Sequence, residues 1–234
     1  MADALRRDFR AQADPARALS SAGYFKTGAG GYGEGDKFLG LTVPQVRGFL
    51  PRTDALSEEE LLAFLHSEWH EERLLALLAW VRRFDKAKKS PEVRERLFLS
   101  YLENTRWINN WDLVDTSAPA IIGGWLLERD RGLLYELVVS PSLWERRIAV
   151  LATLTFIRHR QFDDTLALVR GLLKDKHDLM HKACGWMLRE AGKKEEAVLT
   201  GFLDAHASQM PRTMLRYAIE RLAPERRSAY LARR

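Results

Sequence analysis

The chain has 234 residues, 46% hydrophobic and 29% charged, a composition that builds a globular fold with a sizeable core and excludes a disordered polypeptide. Its longest apolar runs, Leu74–Val81 and Ala118–Leu127, are too short to span a bilayer. Basic residues exceed acidic ones by 37 to 32, and unevenly: 17 against 18 in residues 1–117, then 20 against 14. A basic C-terminal half points to a polyanionic partner such as nucleic acid.

Residues 1–20 carry Arg6, Arg7, Arg10 and Arg17 among acids, without the apolar stretch of a secretory leader. The single cysteine, Cys184, excludes intrachain disulfides and cysteine-based zinc sites, and fits a reducing, cytoplasmic setting.

In chain order, the first distinctive segment is Thr27–Gly40, TGAGGYGEGDKFLG, read as a loop between two N-terminal helices that closes over a ligand. It contains a formal G-x-G-x-x-G at Gly28–Gly33, but no flanking strand supplies the context of a dinucleotide site. Ser57-Glu58-Glu59-Glu60 is a capping box ahead of Leu61, Leu62, Phe64 and Leu65. A helix is predicted over Trp69–Phe84, and Ser90-Pro91 starts another through Val93, Leu97, Phe98 and Tyr101. Ser140-Pro141-Ser142 opens a third strong helix containing Ile148, Leu151, Ala152 and Thr155. Further helices are predicted over about Asp178–Ala191 and Pro211–Leu222. No alternating β pattern occurs, so the class is all-α.

Trp69, Trp107 and Trp144 lie near successive helix starts, 38 and 37 residues apart. Paired helices at that period are the size of HEAT-like units, which stack into a curved α-solenoid. The expected organisation is one domain over residues 1–234. An irregular helical bundle is the alternative.

Three clusters carry candidate chemistry. In Trp107–Asp115, Trp111 and Asp115 lie one helical turn apart on one face. The others are Trp144-Glu145-Arg146-Arg147 and Gly185-Trp186-Met187-Leu188-Arg189-Glu190. Trp111, Arg147 and Trp186 are separated by 36 and 39 residues, so successive repeats would present them together. Arginines interleaved with aromatics suit phosphates, sugars and bases. The plainer reading makes the tryptophans core and pairs the arginines with Glu145 and Glu190. His66/His70 and His177/His181 have helical i, i+4 spacing but lack the H-E-x-x-H pattern and a third ligand, so no metal site is expected.

At YFKTGAGGYGEGDKFLGLTVPQVR, NNWDLVDTSAP, WERRIAVLATLTFIR, HDLMHKACGWMLREAGK and MPRTMLRYAIERL, the chain resembles the AlkD-like DNA alkylation repair family of HEAT-repeat-like DNA glycosylases. The resemblance runs from about Ala18 to Leu231. It implies a helical solenoid whose basic groove holds duplex DNA and which excises N3- and N7-alkylated purines. Carried over, Asp115 is the catalytic carboxylate of the W-x-x-x-D pair with Trp111, and Trp186 is the second aromatic of the site. Arg147 is a DNA-backbone contact, and Arg189 a weaker one. Asp112, on another face of the helix, is expected to matter far less than Asp115. The Gly-rich loop is longer than in the best-understood members. No cofactor, metal, membrane or obligate protein partner is implied; the expected species is a monomer acting on double-stranded DNA containing alkylated purines. The other reading is a non-catalytic HEAT-repeat protein that binds damaged or branched DNA.

Overall fold

The structure, a computed structural model, describes residues 1–233. Among them the regular elements are helical, and the only β interaction is one parallel bridge between Lys37 and Trp69. The all-α class read from the periodicity is the class observed. No helix among the described residues is long and apolar enough to cross a membrane. The chain divides into two compact units, Met1–Ser117 and Ala118–Arg234.

The first unit contains α1 (Ala2–Arg10), α2 (Pro15–Tyr24), α3 (Val43–Gly48), α4 (Leu50–Thr53), α5 (Glu58–Leu65), α6 (His70–Lys86), α7 (Pro91–Glu103) and α8 (Trp111–Ala118), which ends at the boundary. The Ser57 capping box forms as expected: Ser57 Oγ accepts from Glu60 N, and the Glu60 carboxylate from Ser57 N. Thr42 and Gln45 make a second capping box at α3. Helix α6 organises the unit, with α3, α4, α5 and α7 packed against it. Its run from Leu74 to Trp80 is buried all round, together with Phe84. Such a helix holds its neighbours by hydrophobic burial, about 1.5–3 kcal/mol for each fully buried large apolar side chain.

The helix breaks between Leu65 and His70, with Trp69 in extended conformation just ahead of the restart. His66 and His70 therefore do not share a helical face, contrary to their i, i+4 spacing. Gly40 is required where the Gly-rich segment returns to α2: its φ is +85°, and a Cβ there would lie 2.2 Å from the Asp14 carbonyl oxygen.

The second unit starts with a π-type turn at Pro119–Gly123, where Pro119 supplies no N–H to the helical ladder. It continues through α9 (Gly124–Leu126), α10 (Gly132–Leu137), α11 (Leu143–Arg158), α12 (Asp163–Gly171), α13 (Asp178–Lys194), α14 (Glu196–His206), α15 (Arg212–Ala218) and α16 (Pro224–Ala232). Ser142 Oγ caps α11 by accepting from Glu145 N. Ile148, Leu151, Ala152 and Phe156 of α11 and Met187 and Leu188 of α13 form a fully buried core. Helix α13 packs on α11, α12, α14 and α15. Gly185 lets α15 approach, since a Cβ would lie 2.5 Å from the Met214 carbonyl oxygen. The helix predicted to reach Leu222 stops at Ala218, because Pro224 begins α16 and the intervening residues form the turn.

Candidate functional site

Trp111 is the first residue of α8 and Asp115 lies one turn further along, so both side chains leave the same face. Both are partly exposed, while Leu113 and Val114 anchor the opposite face in the core. The Trp111 ring is stacked on Phe25, with centroids 5.4 Å apart and planes at 15°. Tyr24 meets it edge-on at 6.1 Å and is itself 68% exposed. On the buried side, burial pushes the Tyr101 hydroxyl well above the usual phenol range, and the Asp115 charge adds to that shift. The α8 face thus offers an open aromatic surface beside a carboxylate.

The first turn of α6 is charged yet buried: His70, Glu71, Glu72 and Arg73 are each 3% exposed or less. Each has a partner. Glu71 accepts the backbone N–H groups of Leu39, Gly40 and Leu41 at 2.9, 2.8 and 3.2 Å, fixing the end of the Gly-rich segment. Glu72 accepts Arg10 Nε at 2.6 Å, tying α1 to α6. His70 donates from Nδ1 to Asp36 Oδ2 at 3.0 Å and from Nε2 to Asp112 Oδ2 at 2.8 Å. Asp36 also takes the Arg73 guanidinium and, at 3.2 Å, Asn110 Nδ2. Asn110 Oδ1 then accepts the N–H of Trp111 at 2.9 Å.

Burial alone would lower the His70 pKa, but the flanking carboxylates of Asp112 and Asp36 outweigh it and raise the value to about 9. Asp36 is held below the ordinary carboxylate range: burial opposes this, and the His70 hydrogen bond and Arg73 charge prevail. His70 is an imidazolium between two carboxylates. Asp112, expected to matter far less than Asp115 in the reaction, is one of the two acids that hold this cation.

In the second unit, Arg147 is 4% exposed and donates to the Leu179 carbonyl at 2.6 Å, linking α11 to the first turn of α13. Trp186 is half-buried on α13, and its Nε1 donates to Glu190 Oε1 at 3.2 Å. It lines an open groove of about 430 Å³ together with Leu154, Arg158, Glu190, Lys193 and Lys194. Arg189 pairs with Glu220 and lies 3.7 Å from the Glu190 carboxylate. The pairing with Glu190 that the plainer reading foresaw is thus present, joined by Glu220.

The other histidines of the two helical pairs are occupied locally. His66 bonds to Asn104 Oδ1 at 2.6 Å and stacks on Trp107, while His177 Nδ1 caps α13 by accepting from Leu179 N. His181 Nε2 donates to the Asp175 carbonyl at 2.6 Å. Among the described residues, no cluster of acids, histidines or cysteines is arranged to hold a metal. Cys184 is fully buried, and burial pushes its thiol far above the usual range, away from thiolate chemistry.

Tyr24, Phe25 and Asp36 were not singled out from the sequence, and His70 was weighed only with His66 as a helical pair that lacks a third ligand. The signal available was the tetrad His70-Glu71-Glu72-Arg73 opening a strongly apolar helix, which has the same pattern as a solvated first turn.

The comparisons agree with this picture at the level of family and fold. A family model described as DNA alkylation repair enzyme matches residues 5–222. Among solved structures, a predicted DNA alkylation repair enzyme from Enterococcus faecalis is similar with a TM-score of 0.70 at 17% identity. That match covers 91% of this chain and 98% of that one. No curated protein matches.

Proposed function

The chain belongs to the DNA alkylation repair enzymes, and from that premise we propose that it is a monofunctional DNA N-glycosylase, acting in duplex DNA on purines made cationic by alkylation at N3 or N7. The observation that carries this reading is the pairing on α8 of the stacked Trp111 with Asp115, one turn apart and both reachable from solvent.

The chemistry suits such a sparse site. An N3- or N7-alkylated purine already bears a positive charge and leaves without a strong general acid. As the N-glycosidic bond breaks, its electron pair neutralises the purine and positive charge develops on the deoxyribose. Asp115 stabilises that charge and orients the water whose oxygen bonds to C1′. One proton of that water passes to solvent, leaving an abasic sugar and a neutral alkylpurine. Trp111 packs against the sugar and excludes solvent; the resemblance implies that the base is not drawn into a deep pocket and that Trp186 is a second aromatic for the same reaction. The basic second half holds the phosphates; Arg147, buried and bonded to the Leu179 carbonyl, and Arg189, paired with Glu220, contribute only where a phosphate takes the place of those partners. The reaction needs no cofactor, and the protein acts as a monomer within base excision repair.

Purified protein incubated with a duplex containing N7-methylguanine should generate abasic sites, and Asp115→Asn should do so far more slowly. Tight binding without abasic sites would instead leave the chain as a non-catalytic binder of damaged DNA.

A further inference from the structure

Three parts of the first unit meet at one side chain. The two edges of the His70 ring are hydrogen-bonded to Asp36, in the Gly-rich segment, and to Asp112, in the first turn of α8. Its ring also lies against Phe38, centroids 4.6 Å apart at 24°, and against Phe25 at 5.0 Å. Phe25 in turn stacks on both Phe38 and Trp111. A continuous path of rings thus runs from His70 to Trp111. A parallel polar path runs from Asp36 through Asn110 to the backbone N–H of Trp111.

This arrangement is costly as a means of stability. Burying a cation and two carboxylates loses hydration that an apolar cluster of the same volume would not lose. What it provides is geometry: hydrogen bonds fix direction and register where apolar contact would permit sliding. Asp112 immediately follows Trp111 and precedes Asp115 by less than a turn, so anchoring Asp112 fixes the rotation of α8 about its axis. That rotation decides where the Trp111 ring and the Asp115 carboxylate point.

Resting on the glycosylase reading above, we propose that His70 is a positioning residue: bridging Asp36 and Asp112, it locks the Gly-rich segment to the start of α8 and holds Trp111 and Asp115 in reacting geometry. It touches neither DNA nor the reacting atoms. The Gly-rich segment then serves as a brace for the catalytic helix.

The test compares Asp112→Ala, which removes the acceptor, with Asp112→Asn, whose carbonyl oxygen still accepts from His70 Nε2. Single-turnover excision of N7-methylguanine should fall about 10²-fold in Asp112→Ala, with duplex affinity within a few-fold of wild type. Asp112→Asn should recover most of the rate. Combining Asp112→Ala with Trp111→Ala should cost clearly less than the two separate losses combined, because part of the first acts through Trp111. In protein labelled with 5-fluorotryptophan, the Trp111 fluorine resonance, assigned by its loss in Trp111→Phe, should shift and broaden in Asp112→Ala but not in Asp112→Asn. Should Asp112→Ala fail to fold, His70→Gln, which keeps a donor for one carboxylate only, should give the same fluorine change. Additive rate losses with an unmoved Trp111 resonance would overturn the proposal. If the wild-type protein makes no abasic sites, the glycosylase reading fails; the fluorine spectra still decide whether His70 positions Trp111.

Discussion

Phe25 lies nearly parallel to Trp111, 5.4 Å away, and so closes one face of the ring that is to meet the sugar. Offset aromatic pairs contribute about 0.5–1.5 kcal/mol beyond the area they bury. That energy selects one Trp111 rotamer. Phe25→Ala should therefore slow single-turnover excision by up to about tenfold, with Phe25→Leu in between because it restores volume without the flat face. Unchanged rates in both variants would mean that Trp111 keeps its orientation without help from Phe25.

His70 makes stability depend on pH in a defined window. Its folded-state pKa of about 9 lies above its ordinary 6.5, so the fold favours the protonated ring. Asp36 and Asp112 face it from the Gly-rich segment and α8, and Arg73 faces the same Asp36 from α6 itself. The stabilisation is fully present below pH 6.5 and is lost as pH rises through about 9, on the order of 3 kcal/mol in all. Urea unfolding across that range should show the wild type losing stability while His70→Gln stays nearly level. Parallel curves for the two proteins would assign the loss to another group.

The helices were legible because their signals are local. Ser57 with Glu60, Pro91 and Ser142 each mark a start through contacts within one turn. Trp111 and Asp115 were legible for the same reason, since a helical spacing alone puts them on one face. The Asp36–His70–Asp112 bridge was not. Its members are 34 and 42 residues apart, and nothing in the spacing distinguishes a buried His70 from a solvated one. Arg147 shows the same limit from the other side: the sequence offers a cation, but its burial and its bond to Leu179 emerge only from packing α11 on α13.

Arg147 is expected to act in two ways that substitution can separate. Arg147→Ala removes a charge and should lower the slope of log affinity against log salt by about 0.9. Arg147→Lys keeps the charge but loses the planar fork that reaches the Leu179 carbonyl, so it should retain the slope while lowering the thermal midpoint. A slope unmoved in Arg147→Ala would restrict this arginine to holding α11 against α13.

Substrate choice follows from the lack of a strong acid in the proposed mechanism. N7-methylguanine and N3-methyladenine leave as neutral bases, whereas uracil would leave as an anion and demand protonation or strong hydrogen bonding. The protein should therefore release both methylpurines and leave uracil and 8-oxoguanine in place. Comparable excision of uracil in a duplex would contradict a mechanism that relies on the charge of the lesion.

Asp115→Asn is the most demanding test, because it preserves shape and removes one negative charge. A unit-charge interaction at about 4 Å and an effective dielectric near 20 is worth roughly 4 kcal/mol. Directed at the transition state, that corresponds to about a thousandfold in rate. Affinity for DNA should hold or rise, since an anion facing phosphates has been removed. Single-turnover excision at saturating protein measures the chemical step apart from binding. Asp112 cannot serve as the comparison, because its carboxylate holds His70. Asp85, exposed near the end of α6, is the better control, and Asp85→Asn should excise at the wild-type rate. An Asp115→Asn protein within a few-fold of wild type would remove the charge on Asp115 from the mechanism, leaving the aromatic surface and the lesion's own charge to account for catalysis.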